Sequence, residues 1–128
     1  GQFVFEFGGA GNNRLIHGAL AETFARRGLP YRNPFYFPTV GEYAGRLEAA
    51  GFQVRYAVLF DRPTRLAGDR GLEDWMAMFL KTPLAALETE EEKRDVLRET
   101  AAALRNDLCR DGVWYADYVR LRMKAIRL

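Results

Sequence analysis

The sequence predicts an α/β fold, and three observations carry that reading. A short apolar run, Phe3–Phe7, ends in a glycine cluster. Several helix-period stretches come next, each with a start or stop signal. A long run of alternating apolar and polar residues closes the chain. In order, the segments read strand–helix–helix–strand–helix–helix–strand. At 128 residues, with 48% hydrophobic and 28% charged residues, the chain has the size and composition of one soluble domain with one core.

The first strand is Phe3–Phe7, apolar throughout except for Glu6, a pattern expected of a strand buried on both faces. Gly8, Gly9 and Gly11 end it. Asn12 or Asn13 then serves as N-cap for a helix reaching Arg27, with Ile16, Leu20 and Phe24 on one face and Gly28 as its stop. Pro30 and Pro34 keep the next segment irregular, and Tyr36 and Phe37 are expected to pack that loop onto the sheet. The second helix opens on a capping box, Thr39 with Glu42, carries Val40, Tyr43, Ala44 and Leu47 on one face, and stops at Gly51.

Phe52, Val54, Tyr56, Val58 and Phe60 then alternate along a second strand, and "DRPTRLAGDRG" reads as a loop by its proline and glycines. A short helix places Leu72, Trp75, Met76 and Phe79 on one side. Pro83 interrupts it, and Leu84–Leu87 reads as another turn. Thr89 with Glu92 opens a long helix striped by Leu97, Ala101, Leu104 and Leu108. Asp111-Gly112 is a turn. The closing strand puts Val119, Leu121, Met123 and Ala125 on one face and Tyr118, Arg120, Arg122 and Lys124 on the other.

Composition excludes several functions. Nineteen Lys and Arg against 17 Asp and Glu leave a net charge of +2, interspersed along the chain, so no nucleic-acid stripe is expected. No apolar run approaches the roughly 18–20 residues of a membrane span, and no secretory leader pattern is visible. The single cysteine, Cys109, points to a reducing compartment and a cytoplasmic protein. It reads as a half-buried structural thiol. The single histidine, His17, excludes a histidine-rich metal site and is expected at the surface or boundary of its helix.

The glycine cluster invites comparison with nucleotide-binding loops. A dinucleotide fingerprint requires three glycines spaced G-x-G-x-x-G and an acidic residue about 20 positions on. Here Arg14 stands at the third glycine's place, and "GLPYRNPFYF" carries no acid. A strand-to-helix turn needing positive φ is the plainer reading. Gly8–Asn13 still lies at the carboxyl end of a strand, where ligands of open α/β sheets bind.

Taken together, "GQFVFEFGGAGN", "NPFYFPTVGEYAGRLEAAGFQVRYAVLFDRPTRL", "GLEDWMAMFL" and "DGVWYADYVRLRMKAI" resemble the C-terminal half of a class I S-adenosylmethionine-dependent methyltransferase, in particular the trans-aconitate methyltransferase-like small-molecule enzymes. The resemblance implies a partial Rossmann-like sheet of three strands with four to five helices. Phe3–Phe7 and Phe52–Phe60 correspond to the family's fifth and sixth strands. Tyr115–Ile126 is its last strand, antiparallel and central. It implies a single domain over 1–128, the C-terminal part of that fold. The family's cofactor motif lies upstream of its fifth strand, so S-adenosylmethionine is expected for the full-length enzyme and no cofactor for this chain alone.

The resemblance further implies a substrate pocket near Asn12, Asn13, Arg62, Thr64, Trp75, Met78 and Phe79, with no metal. Arg62 is suited to a substrate carboxylate, or else is a surface arginine beside a proline turn. Trp75 and Phe79 stand at core-helix spacing and suit packing as well as a pocket wall. No dedicated catalytic base stands out. Two functions emerge: the substrate-side portion of a small-molecule methyltransferase, inactive alone, or a stand-alone binding or self-association domain derived from that fold, with an anion site at the helix start after Gly8–Asn13. The unpaired edge of Phe3–Phe7 predicts a homodimer.

Overall fold

The computed structural model describes all 128 residues. In chain order it contains β1 (Gln2–Gly8), α1 (Arg14–Arg26), α2 (Val40–Ala49), β2 (Phe52–Arg65), α3 (Gly71–Phe79), α4 (Lys81–Leu84), α5 (Glu90–Leu108), β3 (Cys109–Arg110) and β4 (Val113–Arg127). The sheet runs β1-β4-β2. The last strand is therefore central, as expected. β1 pairs with it antiparallel, Gln2 opposite Ile126 and Gly8 opposite Arg120. Bonds from Leu66 N–H to the Trp114 carbonyl and from Leu128 N–H to the Gly51 carbonyl show that β2 also runs against β4. The two-residue β3 joins β4 through Asp111 and Gly112, whose φ angles of 51° and 77° fit the type I′ hairpin turn.

The chain divides into two compact units. The first comprises Gly1–Asn12, Tyr36–Pro63 and Tyr118–Leu128. The β1–β4 register puts Phe3, Phe5 and Phe7 on one face with Ala125, Met123 and Leu121. α2 lies on that face, its Tyr43 ring centroid 5.8 Å from Phe5 and 4.8 Å from Phe7. Thr39 and Glu42 complete the predicted capping box. None of the α2 residues is fully buried. The opposite face carries Glu6, Arg122 and Lys124.

Two expectations about this unit need correction. β1 is not buried on both faces: Phe3 is 52% and Val4 65% exposed. β4 alone pairs with it, so it is an edge strand. β2 does not end at Phe60 but continues through Pro63 to Arg65. β2 is the other edge of the sheet, where a proline's missing N–H is tolerated.

The second unit comprises Asn13–Phe35 and Thr64–Asp117. Its centre is α1 against α5. Ile16, Leu20 and Phe24 on α1 are completely buried, and Val96, Leu97, Ala101, Leu104 and Leu108 on α5 are buried too. Between the helices the hydroxyls of Thr23 and Thr100 sit 3.0 Å apart, each also within reach of a carbonyl of its own helix, Ala19 and Val96. Such local partners let a buried hydroxyl sit in an apolar contact. α1 stops in a Schellman motif, with Gly28 N–H on the Ala25 carbonyl and Leu29 N–H on that of Phe24. Gly28 supplies the positive φ of 70°. The Thr89 side chain accepts the Glu92 N–H at the start of α5.

Candidate functional site

Within the first unit, the glycine cluster folds as a turn filled by the protein's own atoms. Gly9 N–H bonds the Val119 carbonyl and Ala10 N–H that of Pro38. A Cβ on Gly9 would collide with Leu59 and come within 3.1 Å of the Leu121 Cβ. One on Gly8 would stand 2.9 Å from Asn12 Nδ2 and 3.0 Å from Phe37. A side chain at either position would force these neighbours to shift. Asn12 is 6% exposed, and its Oδ1 accepts the Val119 N–H at 2.7 Å, fixing the loop to β4.

Arg62, the candidate for a substrate carboxylate, faces Glu6: its Nη1 lies 3.2 Å from Glu6 Oε2, while Arg122 Nη2 lies 2.7 Å from Oε1. Glu6, the one polar interruption of the first strand, is thus the anion between two guanidiniums. Arg120 stands farther along the same face, opposite Gly8. Its guanidinium lies over the Tyr118 ring, 4.8 Å from the centroid, and its buried Nε has no hydrogen-bond partner.

Within the second unit, the start of α1 carries a buried polar cluster. Asn13 takes the left-handed conformation, φ 55° and ψ 31°, but its side chain does not cap the helix. Asp117 does so instead, from β4: its Oδ2 accepts the Leu15 N–H at 2.9 Å, and its carbonyl accepts the Asn13 N–H. Burial pushes the Asp117 carboxyl up from its ordinary value, opposed in part by the Leu15 amide and by Arg14. The anion site anticipated at this helix start is therefore already taken by the chain's own carboxylate.

His17 corrects another expectation. It is 7% exposed, because one turn into α1 it meets Tyr31, whose hydroxyl lies 2.6 Å from Nδ1. Burial lowers the His17 pKa and pushes Tyr31 up to about 12, so both are neutral at physiological pH. The Phe35 ring adds a tilted contact at 6.2 Å.

The other anticipated pocket residues lie in this unit as well. Thr64 is half-buried at the end of β2. Trp75 is a core residue at 8% exposure, its ring 5.5 Å from Phe79, while Phe79 and Met78 are 54% and 63% exposed. A hollow of about 400 Å³ opens nearby between Ala77, Leu84 and Leu97, rimmed by Lys81, Glu90, Lys93 and Arg94. Cys109 is half-buried at the end of α5. No group of His, Cys, Asp or Glu is arranged to hold a metal ion, and no helix is long and apolar enough to cross a membrane.

Sequence reasoning missed Asp117 and Arg120. Asp117 acts across more than a hundred residues of chain, so no local spacing reveals it. Arg120 reads in sequence only as one of four polar positions on a strand face; the missing side chain opposite it, at Gly8, is visible only once the register is known.

No family model matches the chain. It is 33% identical over 132 aligned positions to an uncharacterized methyltransferase of Schizosaccharomyces pombe, a match covering 98% of this chain and 49% of that protein. The chain therefore spans about half the length of that relative. A crystal structure described as a methyltransferase from Bacillus halodurans C-125 matches over 98% of this chain and 55% of its own, with a TM-score of 0.45 and 18% identity. The chain is methyltransferase-like in sequence along nearly its whole length.

Methyltransferases of this kind take S-adenosylmethionine as methyl donor. The glycine turn does not fit that group. The places a cofactor would need beside Gly8 and Gly9 hold Asn12, Phe37, Leu59 and Leu121, and the first free amide of α1 is bonded to Asp117.

Proposed function

We propose, for this methyltransferase-like chain, that it forms the substrate-side C-terminal portion of an S-adenosylmethionine-dependent enzyme acting on a small molecule, and that it is inactive alone. The observation that carries this reading is the match itself, 98% of this chain against 49% of a methyltransferase. The glycine turn after β1, its surroundings filled by protein atoms, is consistent with it. In this role the chain supplies binding and alignment, which methyl transfer from a sulfonium chiefly needs. The free cysteine suits a cytoplasmic protein.

Calorimetric titration of the 128-residue chain with S-adenosylmethionine tests the division of labour. No heat of binding is expected from the chain alone. Saturable binding would mean that a cofactor site lies within these residues, and the substrate-side reading would fail.

The exposed edge of β1 favours a second property, self-association. Gln2–Gly8 contains no lysine or proline, and its one charged residue, Glu6, is engaged by Arg62 and Arg122. An antiparallel pairing of two β1 strands centred on Phe5 sets Val4 opposite Glu6 and Phe3 opposite Phe7, so like charges do not meet. An apolar groove of about 220 Å³ formed by Phe3, Phe5, Tyr43, Leu47 and Phe52 lies on the sheet face that α2 partly covers. The occupant we propose is a second copy of this chain.

A further inference from the structure

We propose that the hollow between α3, α4 and α5 binds a small amphipathic carboxylate, an apolar body carrying one anionic head. The proposal goes beyond the reading above and uses none of the pocket residues anticipated from the sequence.

Two helical stripes build the hollow. Ala77, Lys81 and Leu84 recur at helical spacing along α3 and α4, and Glu90, Lys93, Arg94 and Leu97 do so along α5. The first stripe crosses a bend. Pro83 has no N–H to offer the Phe79 carbonyl, and the backbone turns at Leu80, whose φ of −113° and ψ of 35° lie outside helical values. Leu80 still bonds the Met76 carbonyl and accepts the Leu84 N–H, so α3 and α4 stay joined. Ala77 adds only a methyl group to the lining, and space is left between the stripes. It measures about 400 Å³, within the roughly 300–1,000 Å³ of small-molecule pockets.

The lining is divided in its chemistry. Leu84 and Leu97, 4% and 8% exposed, give it an apolar floor. Lys81, Lys93 and Arg94 stand around that floor with a single carboxylate, Glu90. Glu90 Oε1 lies 3.3 Å from Lys93 Nζ, but the Glu90 side chain is 81% exposed, and a pair so open to water contributes little. Lys81 and Arg94 have no ion pair. Of the acidic residues in the first turn of α5, only Glu90 lines the hollow. Asp95, farther along, pairs with Arg98. Positive charge therefore exceeds negative around an apolar floor, and the chain supplies no anion to balance it.

A wholly polar anion would leave the floor uncovered. A wholly apolar ligand would leave the cations without a partner. An alkyl or aryl carboxylate answers both: its body covers Leu84 and Leu97, and its head can meet the Arg94 guanidinium through two parallel hydrogen bonds. The floor is recessed, which suits one molecule entering from solution and does not suit a flat bilayer.

The test is a titration of the 128-residue chain with octanoate, kept below micelle formation and read from backbone amide signals. The amides of Ala77, Leu84, Lys93, Arg94 and Leu97 should move saturably. Acetate, which keeps the head and loses the tail, should bind about tenfold more weakly or worse. Octanol, which keeps the tail and loses the charge, should also be weaker by about tenfold, the worth of two attractions near 4 Å in water. Lys81→Gln and Arg94→Gln should each weaken octanoate binding about fivefold. Arg98→Gln, outside the hollow, should leave it unchanged. Ala77→Phe, at an exposed position, fills the hollow and should abolish saturation while the amide spectrum stays that of a folded chain. The proposal is overturned by absent saturation, by octanol binding as tightly as octanoate, or by equal loss in Arg98→Gln. Capture of the chain by phosphatidylglycerol vesicles without saturable octanoate binding also overturns it, and makes this face a membrane contact. Because binding is read without cofactor or methyl transfer, its failure leaves the methyltransferase reading standing.

Discussion

α1 and α2 have the same kind of sequence and reach different ends. Each has a stripe of apolar residues at helical spacing, and each stops at a glycine with positive φ, Gly28 or Gly51. Yet α1 buries Ile16, Leu20 and Phe24 completely, while α2 buries nothing fully. Periodicity states which face a helix offers. It does not state how much surface is available to cover that face. α1 meets the long α5 along its length, with Thr23 and Thr100 touching between them. α2 meets the edge strand β1 and its half-exposed phenylalanines.

The largest expected effect breaks this comparison at its strong side. Phe24→Ala removes a ring with 0% exposure and should cost about 3–5 kcal/mol. Leu47→Ala, at the matching position of the half-buried α2 stripe, should cost only about 1 kcal/mol. Urea denaturation of both variants measures the difference. Equal costs would mean that α2 is as tightly covered as α1.

A second effect concerns association rather than folding. If β1 is the surface through which two copies meet, Val4→Pro deprives its free edge of a donor and should leave the protein monomeric by light scattering at concentrations where the parent associates. Circular dichroism must show unchanged helix content. Association that survives in a folded Val4→Pro variant places the interface elsewhere.

Much of this architecture is legible in the sequence, and the misses share a cause. Capping boxes, glycine stops, the Asp111-Gly112 turn and the alternation of the closing strand are local signals, and the structure contains each of them. The central place of the last strand came from family resemblance. What escaped was set by long-range neighbours. β1 reads as buried because its residues are apolar, but exposure is decided by whether a second strand lies beside it. His17 reads as polar and peripheral, but Tyr31 covers it. Asn13 has the right chemistry for a cap, yet its left-handed backbone turns the side chain away and Asp117 caps the helix.

Two polar residues, the buried His17 and the half-buried Asp117, give opposite pH responses. His17 has a lowered pKa, so as pH falls below about 6.5 the unfolded chain takes up a proton that the folded chain refuses. Stability is lost in the window between that value and the lowered one, and His17→Gln should remove this loss. Asp117 has a raised pKa. Its contribution is fully present below the unfolded value of about 3.9 and is lost as pH rises through the folded value. Asp117→Asn keeps an acceptor for Leu15 and removes the charge, so its stability should not decline in that acidic window. Thermal melts across pH for the two variants separate the effects. Identical profiles for both variants and the parent would mean that neither group is as buried as the structure places it.

The smallest effect isolates the helices from their surroundings. Thr39 accepts the Glu42 N–H and Glu42 accepts the Thr39 N–H, at 3.1 Å and 3.0 Å, whereas Thr89 accepts the Glu92 N–H at 3.0 Å. Both caps are exposed, so Thr→Ala at either should cost about 1 kcal/mol when the helix end must form for the protein to fold. α5 lies in the packed core, and Thr89→Ala should register that full cost in global unfolding. α2 is shallowly covered and can fray without unfolding the rest. Thr39→Ala should therefore lower the hydrogen-exchange protection of the α2 amides more than it lowers the urea midpoint. A Thr39→Ala loss that appears wholly in the midpoint would show that α2, despite its open face, folds and unfolds with the core.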